Sequence, residues 1–210
     1  MADLSKPASD SQIPFSQELW RKATHLGAMV IPGGYYLLAL SKIQMLAIMV
    51  PVTLLMVLID ISRLRNWRFW NRFACRIGGK MVRDHETAGD FTGATYILLS
   101  VCLTVAMYSK PVAVAALLFI IVGDTLAALV GRKFGRHRFG RKTVEGSLGC
   151  LAGTLLVAWL VPGLTLPVAV FGAVTATITE ALSTSIDDNI TVPIVSGLAM
   201  TLLIKLLGAP

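Results

Sequence analysis

Seven apolar stretches, at about 26–41, 44–60, 92–109, 111–130, 147–162, 166–184 and 190–207, fill most of this chain and limit what it can fold into. Repeated apolar runs with few charges suit hydrocarbon, where a helix satisfies its own backbone hydrogen bonds. The composition agrees, with 55% hydrophobic and 15% charged residues; an ordinary soluble domain carries about 25% charge. The expected fold is all-α: a polytopic bundle of about seven transmembrane helices with amphipathic helices at the interface. Several stretches are short of the roughly 20 residues needed to cross, so the first two are compatible with one hairpin or with extension into their flanks. Pro32, Gly33 and Gly34 predict a kink in the first stretch and Pro51 one in the second.

Residues 1–15, rich in Ser, Asp and Pro, predict a flexible cytoplasmic N-terminus. Residues 16–210 then form a single membrane-embedded catalytic domain, with no room for a second sizeable one. Ser16 reads as a helix cap, and Glu18 to His25 as a short interfacial helix entering the first span. Over 63–83, Leu64, Trp67, Trp70, Phe73, Ile77 and Met81 recur at helical steps among interleaved arginines and a lysine. That pattern predicts an amphipathic helix lying in the cytoplasmic interface, or a helix packed over the bundle. Cys75, Cys102 and Cys150 have neither metal spacing nor a disulfide framework. The first residues lack the pattern of a cleavable signal peptide.

The net charge of +7 is concentrated between apolar stretches, in Arg63 to Arg83 and Arg132 to Lys142. It reads as loops facing anionic lipids rather than as a nucleic-acid surface. The turns near Lys42, Lys110 and 162–167 are short and almost uncharged. The basic-inside rule then puts the N-terminus inside, the C-terminus outside, and the 185–189 loop on the inner face with both basic clusters.

Four constellations carry chemistry-bearing residues. Asp124 ends an apolar run just before the basic loop and shares a stripe with Ala127, Ala128 and Gly131. Embedded acids are expensive and mark functional sites, and Asp124 suits a divalent metal, with an ion pair to a nearby cation as the plain alternative. The loop Gly131 to Gly146 offers Arg141, Lys142 and Thr143 to an anion on a glycine-broken backbone. Arg132, Lys133, Arg136 and Arg138 serve equally well as inside-positive residues, Arg132 also as a phosphate contact; Glu145 caps the loop, neutralises it or adds an acidic ligand. The spacing is not that of a soluble P-loop. Glu180 lies two helical turns before Asp187, on one face if the helix persists, and Asp188 and Asn189 follow with Pro193. These acids suit magnesium, or a base for a lipid hydroxyl; an ordinary Asp-Asp-Asn turn is the alternative. Glu18, Lys22 and His25 share a helical face at the start of the first span. Asp84, His85, Glu86 and Asp90 are weaker ligand candidates beside a helix start that Asp90 or Thr92 would cap, and Asp60 reads as the partner of Arg63. Together these groups describe a membrane enzyme handling a nucleotide at the inner face and a lipid in the bilayer.

The chain resembles the CTP-dependent lipid-alcohol kinases, a family that includes dolichol, phytol and farnesol kinases and the yeast-type diacylglycerol kinase, and more distantly the phosphatidate cytidylyltransferases. Asp124, Ala127 and Gly131, then Arg141, Lys142, Thr143, Glu145 and Gly146, match the nucleotide signature, with Arg141 in place of its first lysine. Glu18, Arg21, Lys22 and His25 match the opening motif, and Glu180, Asp187, Asp188, Asn189 and Pro193 the late one. The resemblance implies CTP as phosphate donor, Mg2+ as metal and a lipid alcohol as acceptor. It implies Asp124 and Glu180 as metal ligands; Arg132, Arg141, Lys142, Thr143, Glu145 and Gly131 around the nucleotide; and Lys22, His25, Asp187 and Asp188 as catalytic residues, with Lys22 touching phosphate and the others positioning or deprotonating the hydroxyl. A cytidylyltransferase making CDP-lipid and pyrophosphate is the enzymatic alternative, and a transporter or lipid scramblase the non-enzymatic one. The acceptor's identity and a homodimer are left open.

Overall fold

The computed structural model describes residues 22–65, 91–140, 142–183 and 187–208. The 1–15 segment, Ser16, Glu18, Arg21, Arg141, most of the expected 63–83 helix and the 84–90 ligand candidates lie outside the described residues. The chain is nearly all helical. After a helical segment at 22–27 come α1 (Val30–Leu37), α2 (Lys42–Leu64), α3 (Gly93–Met107) and α4 (Lys110–Phe134). A two-stranded hairpin follows, β1 (Arg138–Phe139) and β2 (Lys142–Thr143), then α5 (Val144–Leu160), α6 (Leu166–Leu182) and α7 (Asp188–Leu207).

Each expected apolar stretch coincides with helix, but the described helices divide by length. Only α2, α4 and α7 among them are long and apolar enough to cross a membrane; α3, α5 and α6 are apolar and shorter. The first stretch breaks at Ala28–Met29 rather than at Pro32–Gly34. Pro32 sits in the first turn of α1, where the missing N–H has no intrahelical partner to lose, so the helix forms around the Pro-Gly-Gly run. Helix α2 also continues through Pro51.

Helix α4 is the hub, packing against α1, α3, α5, α6 and α7, while α2 packs along α3. Its run Val112 to Leu117 is buried on every side, as expected of a helix apolar all round. The closest approach is between α4 and α5. A Cβ at Gly146 would lie 2.9 Å from the Ala127 carbonyl oxygen, and one at Gly149 would lie 2.8 Å from Val130. Small residues at helical spacing let the two backbones meet. The outward faces carry large apolar side chains, among them Leu37, Ile43, Trp159, Leu182 and Leu206, a surface made for hydrocarbon rather than water.

The end of α2 is tied to the start of α3 by Asp60. Its carboxylate accepts from Thr92 N at 2.8 Å, Thr92 Oγ1 at 3.0 Å and Thr95 Oγ1 at 2.7 Å, with Arg63 Nε 3.3 Å away. Thr92 is the N-cap residue, but Asp60 provides the capping oxygen from another helix. The expected Asp60–Arg63 pair is present within this larger network.

Candidate active site

The N-terminal helical segment meets α4 at Asp124, a little past the middle of that helix. Lys22 Nζ donates to Asp124 Oδ2 at 2.5 Å and to the Asp124 carbonyl oxygen at 3.3 Å. His25 Nε2 stands 3.5 Å from the same Oδ2. One helical turn separates Lys22 from His25, so both reach the same acid. Lys22 is buried, and an ammonium taken out of water is tolerable only with a counter-charge.

The hairpin brings a second lysine to the same place. Arg138 pairs with Thr143 and Phe139 with Lys142, and Gly140 takes the left-handed φ of +57° needed at the turn. Lys142 Nζ donates to Glu180 Oε1 and lies 3.6 Å from Asp188 Oδ2. Partial burial pulls the Lys142 ammonium down, but the hydrogen bond to Glu180 and the charges of Glu180, Asp188 and Asp124 outweigh it and hold the group above its ordinary value.

Asp124, Glu180 and Asp188 each offer a carboxylate oxygen, all within 4.8 Å of one another. Glu180 is 2% exposed, and its Oε2 is buried with no hydrogen-bond partner among the described residues. Leaving such an oxygen unsatisfied is costly. Among the described residues, three carboxylates face two lysine ammonium groups here. Hard oxygen donors and net negative charge in a partly dry site fit a divalent cation of the magnesium type.

Comparison with known proteins adds a second line of observation. Over 197 residues the chain is 27% identical to an uncharacterized protein of Rickettsia prowazekii, covering 90% of this chain and 95% of that one. Over 216 residues it is 25% identical to CTP-dependent diacylglycerol kinase 1 of Saccharomyces cerevisiae, covering 90% of this chain and 74% of the yeast protein. Over 142 residues it is 31% identical to the chloroplastic farnesol kinase of Arabidopsis thaliana, covering 59% of this chain and 46% of the plant protein. Its named relatives thus include CTP-dependent lipid kinases. No family model and no solved structure matches it.

The described motif residues divide into two groups. Lys22, His25, Asp124, Lys142, Glu180 and Asp188 converge on one cluster. The others take local structural contacts. Thr143 caps α5, accepting from Gly146 N at 3.1 Å. Gly131 lies in the α4–α5 crossing, where a Cβ would meet Thr143 Oγ1 at 2.8 Å. Glu145 pairs with the exposed His137, 2.7 Å from Nδ1, and also accepts from its backbone N–H. Arg132 is exposed on the last turn of α4.

The late motif is arranged differently from the spacing argument. Helix α6 ends at Leu182 and Asp187 begins α7 as its N-cap, so Glu180 and Asp187 do not share one helix. Asp187 Oδ1 accepts from Asn189 N at 2.9 Å and Asn189 Nδ2 at 2.6 Å. It is Asp188, not Asp187, that joins Glu180 and Asp124. An Asp-Asp-Asn run at a helix start divides naturally in this way, since the first acid is consumed as the cap.

Proposed function

We propose that this protein is an integral membrane kinase that transfers the γ-phosphate of CTP to a lipid alcohol, an isoprenoid alcohol or diacylglycerol, and releases CDP. The observation that carries this reading is the meeting of two lysines, a histidine and three acids from separate elements, in a chain whose relatives include a CTP-dependent diacylglycerol kinase and a farnesol kinase. Phosphoryl transfer needs little covalent chemistry from a protein; it needs positioning and charge stabilisation, which this set of groups is equipped to supply.

Asp124, Glu180 and Asp188 would hold Mg2+. When bound there, the ion neutralises charge on the phosphoryl oxygens. Lys22 and Lys142 exchange their carboxylate partners for phosphate oxygens, with Arg141 and Arg132 adding charge from the basic loop. With Asp187 engaged as a cap and Asp188 among the acids, His25 is the residue assigned to the acceptor's proton. The alcohol oxygen forms a bond to the γ-phosphorus, the bond from that phosphorus to the β,γ-bridging oxygen breaks, and the electron pair leaves on CDP. The charge distribution supports seven crossings with the N-terminus and this cluster on the cytoplasmic side and the C-terminus outside.

The test is transfer from CTP labelled separately at the α- and γ-phosphates, using protein in detergent with diacylglycerol or farnesol and, in a parallel arm, phosphatidate. Label in the lipid from the γ-position alone is the expected result. Label from the α-position means cytidylyl transfer, and no labelled lipid with either ends the proposal.

A further inference from the structure

Each of the three clustered acids is already in contact with an ammonium group. Lys22 Nζ lies 2.5 Å from Asp124 Oδ2, while Lys142 Nζ bonds Glu180 Oε1 and stands 3.6 Å from Asp188 Oδ2. The carboxylate oxygens lie within 4.8 Å of one another, and magnesium binds oxygen at about 2 Å, so an ion held by all three would lie beside both nitrogens. Like charges at that range repel, most of all where water is excluded, and Lys22 and Glu180 are both buried. In this state the two lysines stand in the place of a divalent cation.

The lysines fill that place incompletely, and they reach it from outside. Glu180 Oε2 is buried with no hydrogen-bond partner among the described residues, so one costly acceptor is left over for a further cation. The acids stand on α4, α6 and α7, helices that pack against one another. Lys22 comes from the N-terminal helical segment and Lys142 from the hairpin, each on a flexible four-carbon stem. Both ammonium groups can therefore swing away while the acids keep their places. Neither can leave without a new acceptor, because a poorly solvated charge must stay paired. Polyphosphate oxygens are such acceptors.

We infer that Lys22 and Lys142 are built-in counter-ions that keep the acid cluster closed to a divalent cation until a polyphosphate takes both ammonium groups, so that cation and nucleotide are admitted together. The inference rests on the lipid kinase reading and deepens it by assigning the regulation of the same site. The exclusion works in both directions. A divalent cation alone meets two lysines that have nowhere else to go. A polyphosphate alone draws the lysines away and is left facing three bare carboxylates. Binding of each therefore strengthens binding of the other, as linkage requires, and the lysines reach phosphate in the same event that clears the acids.

The experiment reads Mn2+ binding by the full chain in detergent without nucleotide, with free Mn2+ followed by electron paramagnetic resonance. Lys142→Met, which strips Glu180 and Asp188 of their ammonium, should bind Mn2+ about ten-fold or more tighter than wild type, within the ordinary range of coupling between sites. Adding Glu180→Gln to Lys142→Met should abolish the gain, which places the ion at the acids. Lys110→Met removes a lysine that lies over the Tyr35 ring, about 20 Å along α4 from Asp124, and should match wild type. Equal affinity in Lys142→Met and wild type, or a gain that survives Glu180→Gln, overturns the inference. Should Lys142→Met not fold, wild type decides: at one fixed free Mn2+ concentration, CDP should raise the protein-bound Mn2+ several-fold. Occupancy that is already full without CDP refutes the gate. The kinase reading is separable, because the Mn2+ arm contains no nucleotide: a chain that transfers γ-phosphate yet fills with Mn2+ alone keeps that reading and loses the gate, and one that transfers none while Lys142→Met gains Mn2+ does the reverse.

Discussion

Lys22 donates to Asp124 at 2.5 Å across 102 positions of sequence, so a charge near the start of the described chain is fixed by an acid deep in the central helix. That pair ties the N-terminal segment to α4. Removing one member should be worse than removing both. Lys22→Met and Asp124→Asn are each expected to lower stability by about 2 kcal/mol or more, because each leaves a poorly solvated charge behind. The double variant should lose clearly less than the sum, a non-additivity read by thermal unfolding in detergent. Additive losses would mean the two groups do not act as a pair.

Glu180→Gln keeps the shape of the side chain and removes a charge from the acid cluster. Activity is expected to fall roughly a hundred-fold or more, since metal-assisted charge stabilisation supplies several kcal/mol. The Mg2+ concentration for half-maximal rate should rise as well. Chelation should abolish wild-type turnover, and Mg2+ or Mn2+ should restore it. Wild-type activity that survives exhaustive chelation would remove the metal role from all three acids.

The α4–α5 contact gives a stability test away from the charges. A Cβ at Gly146 meets a backbone carbonyl at 2.9 Å, whereas one at Gly33 meets nothing within 4 Å. Gly146→Ala should cost about 1–3 kcal/mol, as overpacking does when the neighbour cannot move. Gly33→Ala, in the interior of α1, should be neutral or stabilising by up to about 1 kcal/mol. Unfolding midpoints of the two variants check the contrast.

The alkaline behaviour of Lys142 has a definite sign. Its folded value is raised above the ordinary 10.5. The stability it contributes is therefore fully present below pH 10.5 and is lost as pH rises through the folded value. Wild type and Lys142→Met should show a constant stability difference from pH 7 to 10, shrinking only above that. A difference that closes near pH 8 would contradict the pairing with Glu180 and Asp188.

Replacing Asp60 should separate scaffold from site. Its carboxylate holds three donors at the start of α3 and lies outside the acid cluster. Asp60→Ala should lose about 3 kcal/mol, with buried donors left unmatched. The KM for CTP in the folded fraction should be unchanged, as measured by initial rates after brief heating to remove unfolded protein.

The sequence made the apolar helices readable because hydropathy reports burial or lipid contact directly, and each of the seven stretches contains helix. It did not reveal the break at Ala28–Met29, since Pro32 and the glycines drew the kink to themselves while proline was compatible with the first turn of α1. Convergence of Asp124 and Glu180 followed from counting charges along the loops. A shared face for Glu180 and Asp187 required the helix to persist, but α6 ends at Leu182 and Asp187 is used as a cap, which leaves Asp188, the other acid of the run, beside Glu180. The hairpin carrying Lys142 has two residues per strand, too short for any alternation to show; Gly140 was its one local signal.

The brevity of α3, α5 and α6 has a bearing on how substrate arrives. At 1.5 Å per residue their 15 to 17 residues extend about 25 Å or less, against about 30 Å of hydrocarbon in an ordinary bilayer. Were these helices to span such a bilayer, lipid next to them would have to compress, drawing water and headgroups inward at the edge of the bundle. An amphiphile reaching that dimple would already be lifted toward the polar groups, so local membrane deformation would perform part of the extraction that a soluble enzyme carries out with a lid.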